Sequence, residues 1–237
     1  MALLLLIRHA VTDATGRRLS GNTPGIHLSD EGRAQSARLV ERLAPVPLAA
    51  IYASPLERCM ETAQVVAAAR DGLEVRPVRD LEEVGYGRWT GRPLTALART
   101  ALWKQVQSSP SSIRFPDGET LTEVQRRGVA ALDAIAAHHP RSIAGVVTHA
   151  DVIRLAVAHY AGVHIDLFQR FIVSPTSVSA ILLGDRIPRV LRLNDTGNLS
   201  DLVPRARMRK EGARPGPGRA ARVSTSRPGP VPGALLG

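Results

Sequence analysis

Leu3-Leu4-Leu5-Leu6-Ile7-Arg8-His9-Ala10 is an unbroken aliphatic run that ends in an arginine and a histidine. Five successive apolar residues are too few to cross a bilayer and show no polar alternation, so they read as a strand buried on both faces, as in a parallel sheet. Ligands of open α/β sheets bind just beyond the carboxyl ends of such strands. Arg8 and His9 occupy that end. The expectation is a cationic, nucleophile-bearing pocket at the tip of the first strand.

Working outward, residues 10–29 are rich in Thr, Gly, Asn and Ser and form a long loop, a length that is often functional in a compact domain. Ser29-Asp30-Glu31-Gly32 supplies an N-cap and an acidic first turn for a helix to about Leu43. Leu48–Ala53 reads as a second strand, and Ser54-Pro55 as the start of a helix with Pro in its first position and Arg58 in its first turn. Glu74–Val78 is a third strand, followed by the loop Asp80–Gly91. A helical stretch over Leu94–Val106 precedes a Ser/Pro loop at 108–119. Thr120 with Glu123 fits a capping box for a helix that Pro140 stops. Ser142–Thr148 is a fourth buried strand, ending at His149, and another helix follows. Val178–Leu183 and Val190–Leu193 read as an edge hairpin around Gly184-Asp185.

Of the 237 residues 44% are apolar but only 3% aromatic, so the core must be aliphatic. One cysteine, Cys59, excludes an internal disulfide framework and suits a reducing, cytoplasmic setting. No targeting segment or membrane span is visible. The net charge of +10 is localised: residues 204–237 carry eight basic and one acidic residue, which leaves +3 for residues 1–203. Nucleic acid is therefore not the expected partner, because the basicity belongs to a Pro/Gly/Arg-rich tail that has no apolar periodicity and is expected to be disordered. The sequence is compatible with a monomer or a homo-oligomer. His138-His139 ends a helix, where cations suit the dipole, and is not read as a metal site.

Arg8 and His9 follow strand one, Arg58 strand two, Glu83 strand three and His149 strand four. Parallel strands joined by right-handed crossovers bring all five to one sheet edge. Two guanidinium forks beside imidazoles suit a dianionic tetrahedral group such as phosphate. One histidine could attack phosphorus while a glutamic acid protonates the departing oxygen. Arg88, Arg92 and Arg114, on the expected rim, point to an acidic substrate.

Six ordered motifs over about residues 3–194 carry a family resemblance. Leu6-Ile7-Arg8-His9-Ala10, Leu28–Gln35, Ala53–Ala63, Leu81–Gly91, Pro116–Thr120 and Val147–Arg154 resemble, in order, the signature elements of the histidine phosphatase (phosphoglycerate mutase-like) superfamily. The resemblance implies a three-layer α/β/α domain over residues 1–203 with a mostly parallel central sheet. It implies a phosphomonoester hydrolase with a small-molecule substrate and no cofactor or metal. His9 aligns with the nucleophile, Arg8, Arg58 and His149 with the phosphate clamp, and Glu83 with the proton donor. Thr15, Gly21 and Asn22 fall in the substrate loop, Thr15 where the family often has Asn. Ala10 and Ala150 replace the glycines that usually follow the two histidines. A phosphomutase using the same pocket, and a non-catalytic phospho-ligand binding protein, are the alternatives; the short segment between Glu83 and His149 favours hydrolysis.

Overall fold

The apolar run becomes β1 (Ala2–Arg8), and its neighbours explain why it has no polar side. On one flank it pairs in parallel with β4 (Ile143–Thr148), on the other antiparallel with β5 (Val178–Leu183). The remaining strands are β2 (Leu48–Ala53), β3 (Val75–Pro77) and β6 (Arg189–Asp195), and the sheet order is β3-β2-β4-β1-β5-β6. The four strands from β3 to β1 are parallel, and β5 and β6 add an antiparallel margin. This computed structural model describes residues 1–184 and 187–197. The basic tail 204–237 and Asp185 of the expected hairpin turn lie outside the described residues.

Side chains alternate across a strand, and the two halves of the core follow that alternation. Leu4 and Leu6 pack with Val146 against α5 (Leu121–His138) and α6 (Ala150–Tyr160), through residues such as Leu132, Ile153 and Val157. Leu5 and Ile7 face the other way, onto Leu39 of α1 (Asp30–Leu43) and Ala63 and Val66 of α2 (Glu57–Ala68). Helices thus cover both faces of the sheet. A third cluster, around Tyr86, Trp89, Leu97 and Phe115, lies under α3 (Leu94–Leu97) and α4 (Ala101–Ser108).

Local signals account for most helix ends. Ser29 accepts the Gly32 amide at the start of α1, and Thr120 with Glu123 forms the reciprocal capping box of α5. Four expectations need correction. The helix after β2 starts at Glu57 and not at Pro55, because the Ser54 amide still bonds the Val147 carbonyl (3.0 Å) and Leu56 is extended. The Leu94–Val106 stretch is two helices, since the Thr100 hydroxyl accepts the Trp103 amide and begins a new one. The third strand is only Val75–Pro77, at the sheet edge where a proline without an N–H is tolerated. The last strand is longer than expected, and its pairing with β5 is irregular, with register shifts between Val178 and Ala180 and between Ala180 and Ile181. No helix among the described residues is long and apolar enough to cross a membrane.

Leu6 is fully buried between β4, β5 and the α5/α6 layer. Leu6→Ala is expected to cost about 2–5 kcal/mol in urea unfolding, whereas Leu191→Ala, on the exposed face of β6, should stay within about 0.5 kcal/mol. Equal losses would show that β1 is not the structural centre.

Candidate active site

The β1–β4 register sets the site. Arg8 lies opposite Thr148, so the next residues, His9 and His149, leave the sheet side by side. The His9 amide still bonds the Thr148 carbonyl at 2.9 Å, and the two imidazoles meet edge to face with centroids 5.2 Å apart. His9 Nδ1 lies 2.7 Å from the Ala10 carbonyl, which assigns the proton to Nδ1 and leaves the Nε2 lone pair free. Burial, then Arg58 and Arg8, push its pKa down to about 3, so the ring is neutral. His149 is wholly buried behind it, with Nε2 at 2.8 Å from Ser54 Oγ and 3.4 Å from Cys59 Sγ. Burial and the Arg58 charge keep His149 neutral as well.

Two guanidinium groups flank His9. Arg8 donates from Nη1 to the Val173 carbonyl (2.7 Å), and its buried Nε has no partner among the described residues. Arg58, almost wholly buried, donates to the carbonyls of Gly21 (2.6 Å) and Thr23 (3.3 Å). Gly21 has φ +54°, and a Cβ there would come within 3.0 Å of the Tyr86 ring and 3.1 Å of the Val84 carbonyl, so glycine is required. The Thr15 hydroxyl accepts the Thr12 amide at 2.9 Å and pins the turn after His9. Ala10 and Ala150 both avoid positive φ, so each accommodates its methyl group without backbone strain.

Glu83 lines the same cleft as these cations. Its carboxyl is pushed up to about 7, first by burial and then by the Asp151 charge, against the pull of the Val84 amide and both arginines. Arg8, His9, Thr15, Gly21, Arg58 and Glu83 line one cleft of about 440 Å³. Asn22 is not part of it; this residue lines a neighbouring hollow of about 790 Å³ on the other side of Glu83. Arg88 and Arg114 also point elsewhere, Arg88 to Asp117 (3.0 Å) and Arg114 to Glu123 (2.6 Å), while Arg92 lies outside the cleft lining. The cleft takes Arg18 and Arg154 instead, with Tyr86, Trp103 and Asp151. Arg18 and Tyr86 fall in the stretches 13–27 and 84–92 expected at the rim, and Asp151 is an alternative acid to Glu83; Trp103 and Arg154 were not expected in the wall, and only the position of Arg154 five residues beyond His149 could have suggested it. Among the described residues no group of three or more His, Cys, Asp or Glu side chains is disposed to hold a metal.

The sequence profile of the histidine phosphatase superfamily (branch 1) matches residues 4–196. The chain belongs to that superfamily. Phosphoserine phosphatase 1 of Hydrogenobacter thermophilus is 29% identical over 210 residues, which are 87% of this chain and 98% of that protein. Phosphoglycerate mutase-like protein 4 of Arabidopsis thaliana is 33% identical over 157 residues, 65% of this chain and 68% of that one. Among solved structures, YhfR of Bacillus stearothermophilus superposes with a TM-score of 0.77 at 27% identity, covering 82% of this chain and 98% of its own. Membership of the superfamily supports phosphatase activity as the chemistry of the chain.

In this histidine phosphatase the acid-bearing loop is held from behind by one side chain. Arg127 of α5 donates to the carbonyls of Asp80 (2.8 Å), Glu82 (2.7 Å) and Glu83 (3.1 Å). It also grips Glu119 through two bonds of 2.9 and 3.0 Å, and Glu119 accepts the Gly85 amide at 2.8 Å. Removing such a half-buried charged donor should cost about 1–3 kcal/mol. Arg127→Ala is therefore expected to speed amide exchange at Val84 and Gly85 while β1 and β4 keep their protection. Unchanged exchange in the loop would show that it holds its shape without Arg127.

Proposed function

We propose that the chain is a cytoplasmic, metal-independent phosphomonoester hydrolase that works through a phosphohistidine on His9, with Glu83 as general acid and then general base. The observation that carries this is the unpartnered, buried Arg8 Nε beside a neutral imidazole with a free Nε2 lone pair. A buried donor without an acceptor costs about 1–3 kcal/mol, and a phosphoryl oxygen at that point removes the cost. Arg8 and Arg58 carry the charge that a metal would otherwise supply, and His149, which does not line the cleft, backs His9 from within. The Thr15 hydroxyl and the Gly21 loop border the phosphate.

In the first half-reaction His9 Nε2 forms a bond to phosphorus as the P–O ester bond breaks. Glu83 gives its proton to the departing alkoxide, leaving a phosphorylated imidazole and a carboxylate. In the second, water attacks phosphorus and gives a proton to Glu83, and the P–N bond breaks. Phosphate leaves, with neutral His9 and protonated Glu83 restored. Exposed Gly16, Arg18 and Gln107 form the mouth of the cleft, so water has access once the alcohol departs. That favours hydrolysis over a mutase reaction, which must hold its product and keep water out.

A brief incubation with a labelled phosphomonoester should leave an acid-labile, alkali-stable label on the protein and none on His9→Ala. A wild-type chain that stays unlabelled during turnover would overturn the phosphohistidine. Glu83→Gln should slow alkyl phosphates by about 10²–10⁴ and aryl phosphates far less, since aryl leaving groups need little protonation. With alkyl esters the rate should fall as pH rises through about 7, where Glu83 loses its proton. On the acid side His9 remains neutral down to about 3. Equal losses for the two ester classes, or no alkaline limb, would move the acid to another residue.

A further inference from the structure

Beyond Glu83 the cleft wall carries two opposite charges held together. Asp151, the second residue of α6, accepts the Tyr86 hydroxyl on Oδ2 (2.6 Å) and Arg154 Nη1 on Oδ1 (2.8 Å). Arg154 is fixed in turn by its Nε bond to the Phe171 carbonyl at 3.0 Å, which leaves Nη2 uncommitted among the described residues. Both side chains line the same cleft as His9, and both act electrostatically on Arg8. Asp151 shares this cleft wall with Glu83, so on the hydrolase reading it borders the departing alcohol.

We infer that Asp151 and Arg154 form a leaving-group subsite for a zwitterionic head group, and that the preferred substrates are O-phosphorylated α-amino acids. This rests on the hydrolase reading above. Arg8 and Arg58 are used up by the phosphate dianion, so the Asp151–Arg154 pair, neutral as a unit, is what the alcohol meets. An ammonium on Asp151 and a carboxylate on Arg154 close a square of alternating charge in which each ion has two opposite neighbours. Each carboxylate oxygen of Asp151 accepts one of these two bonds and keeps a lone pair for the ammonium. A leaving group with only a carboxylate gains Arg154 but is repelled by Asp151, and one with only an ammonium meets the reverse. The rigid Tyr86 and Phe171 anchors hold the pair in place before substrate arrives, which limits the ordering cost of binding.

The test compares kcat/KM for O-phosphoserine, 3-phosphoglycerate, O-phosphoethanolamine and p-nitrophenyl phosphate. One charged contact is worth about a factor of ten, so O-phosphoserine should exceed 3-phosphoglycerate and O-phosphoethanolamine by about tenfold or more each. Asp151→Asn, which keeps one acceptor oxygen for Arg154 and places an amide that can donate to the Tyr86 hydroxyl oxygen, should penalise the two ammonium esters about tenfold more than 3-phosphoglycerate. Arg154→Gln should penalise the two carboxylate esters more than O-phosphoethanolamine. A wild-type preference for 3-phosphoglycerate, or an Asp151→Asn loss equal for all four esters, overturns the subsite. If p-nitrophenyl phosphate is not hydrolysed and no phosphohistidine forms, the hydrolase reading fails first, and the subsite with it.

Discussion

The lateral hydrogen bonding of β1 continues past its last residue, and the site depends on it. The Arg8 amide bonds the Ser177 carbonyl, the Thr176 amide bonds the Arg8 carbonyl, and the His9 amide bonds the Thr148 carbonyl. A strand held on both sides cannot slip by one residue without turning every side chain to the opposite face. Here a slip would bury Arg8 on the α1/α2 side and send His9 towards α5 and α6. The aliphatic core on the two faces of β1 therefore acts at a distance on chemistry. Leu4 and Leu6 against one helix layer, with Leu5 and Ile7 against the other, fix which side of the sheet each charged group emerges from.

The electrostatics follow from how the cations are tied down. Arg8 and Arg58 are held by backbone carbonyls, and among the described residues neither makes an ion pair with a carboxylate. A carbonyl dipole fixes a guanidinium in place without neutralising it, so its full charge remains for a ligand. Keeping such a charge in place is costly, because Arg8 is desolvated and also feels the charge of Arg154. Burial, with the field of Arg8 and Arg58 adding to it, keeps both imidazoles neutral, whereas the field by itself would keep Glu83 ionised. Burial and the nearby Asp151 outweigh it at Glu83 and hold the proton there. A raised carboxyl at Glu83 and a neutral imidazole at His9 coexist because desolvation acts in opposite directions on the two groups.

Much of this was legible in the sequence because it is governed by local rules. Buried strands announce themselves as short aliphatic runs, and the residues after them, Arg8, His9, Arg58, Glu83 and His149, share an edge once the strands are parallel. The capping box at Thr120 is equally local. What could not be read is which exposed-looking charges find partners across space. Arg114 meets Glu123 nine residues on, and Arg88 meets Asp117, through loop geometry that no spacing rule encodes. Asn22 follows directly on Gly21 yet falls on the far side of Glu83, because the left-handed turn at Gly21 redirects the chain. Trp103 enters the wall only because α4 is a separate helix, capped by Thr100 and stacked through Trp103 on Trp89 at 6.0 Å.

The irregular pairing of β6 has a consequence for the surface of the molecule. Leu191 and Leu193 are exposed on this outermost strand, a combination that ordinarily invites another chain to add itself to the sheet. Two register shifts and the left-handed backbone of Asn194 interrupt the even spacing that an incoming strand would need. Protection against aggregation at this margin is thus built into backbone shape, and the leucines can remain uncovered without making the sheet a template for fibre growth.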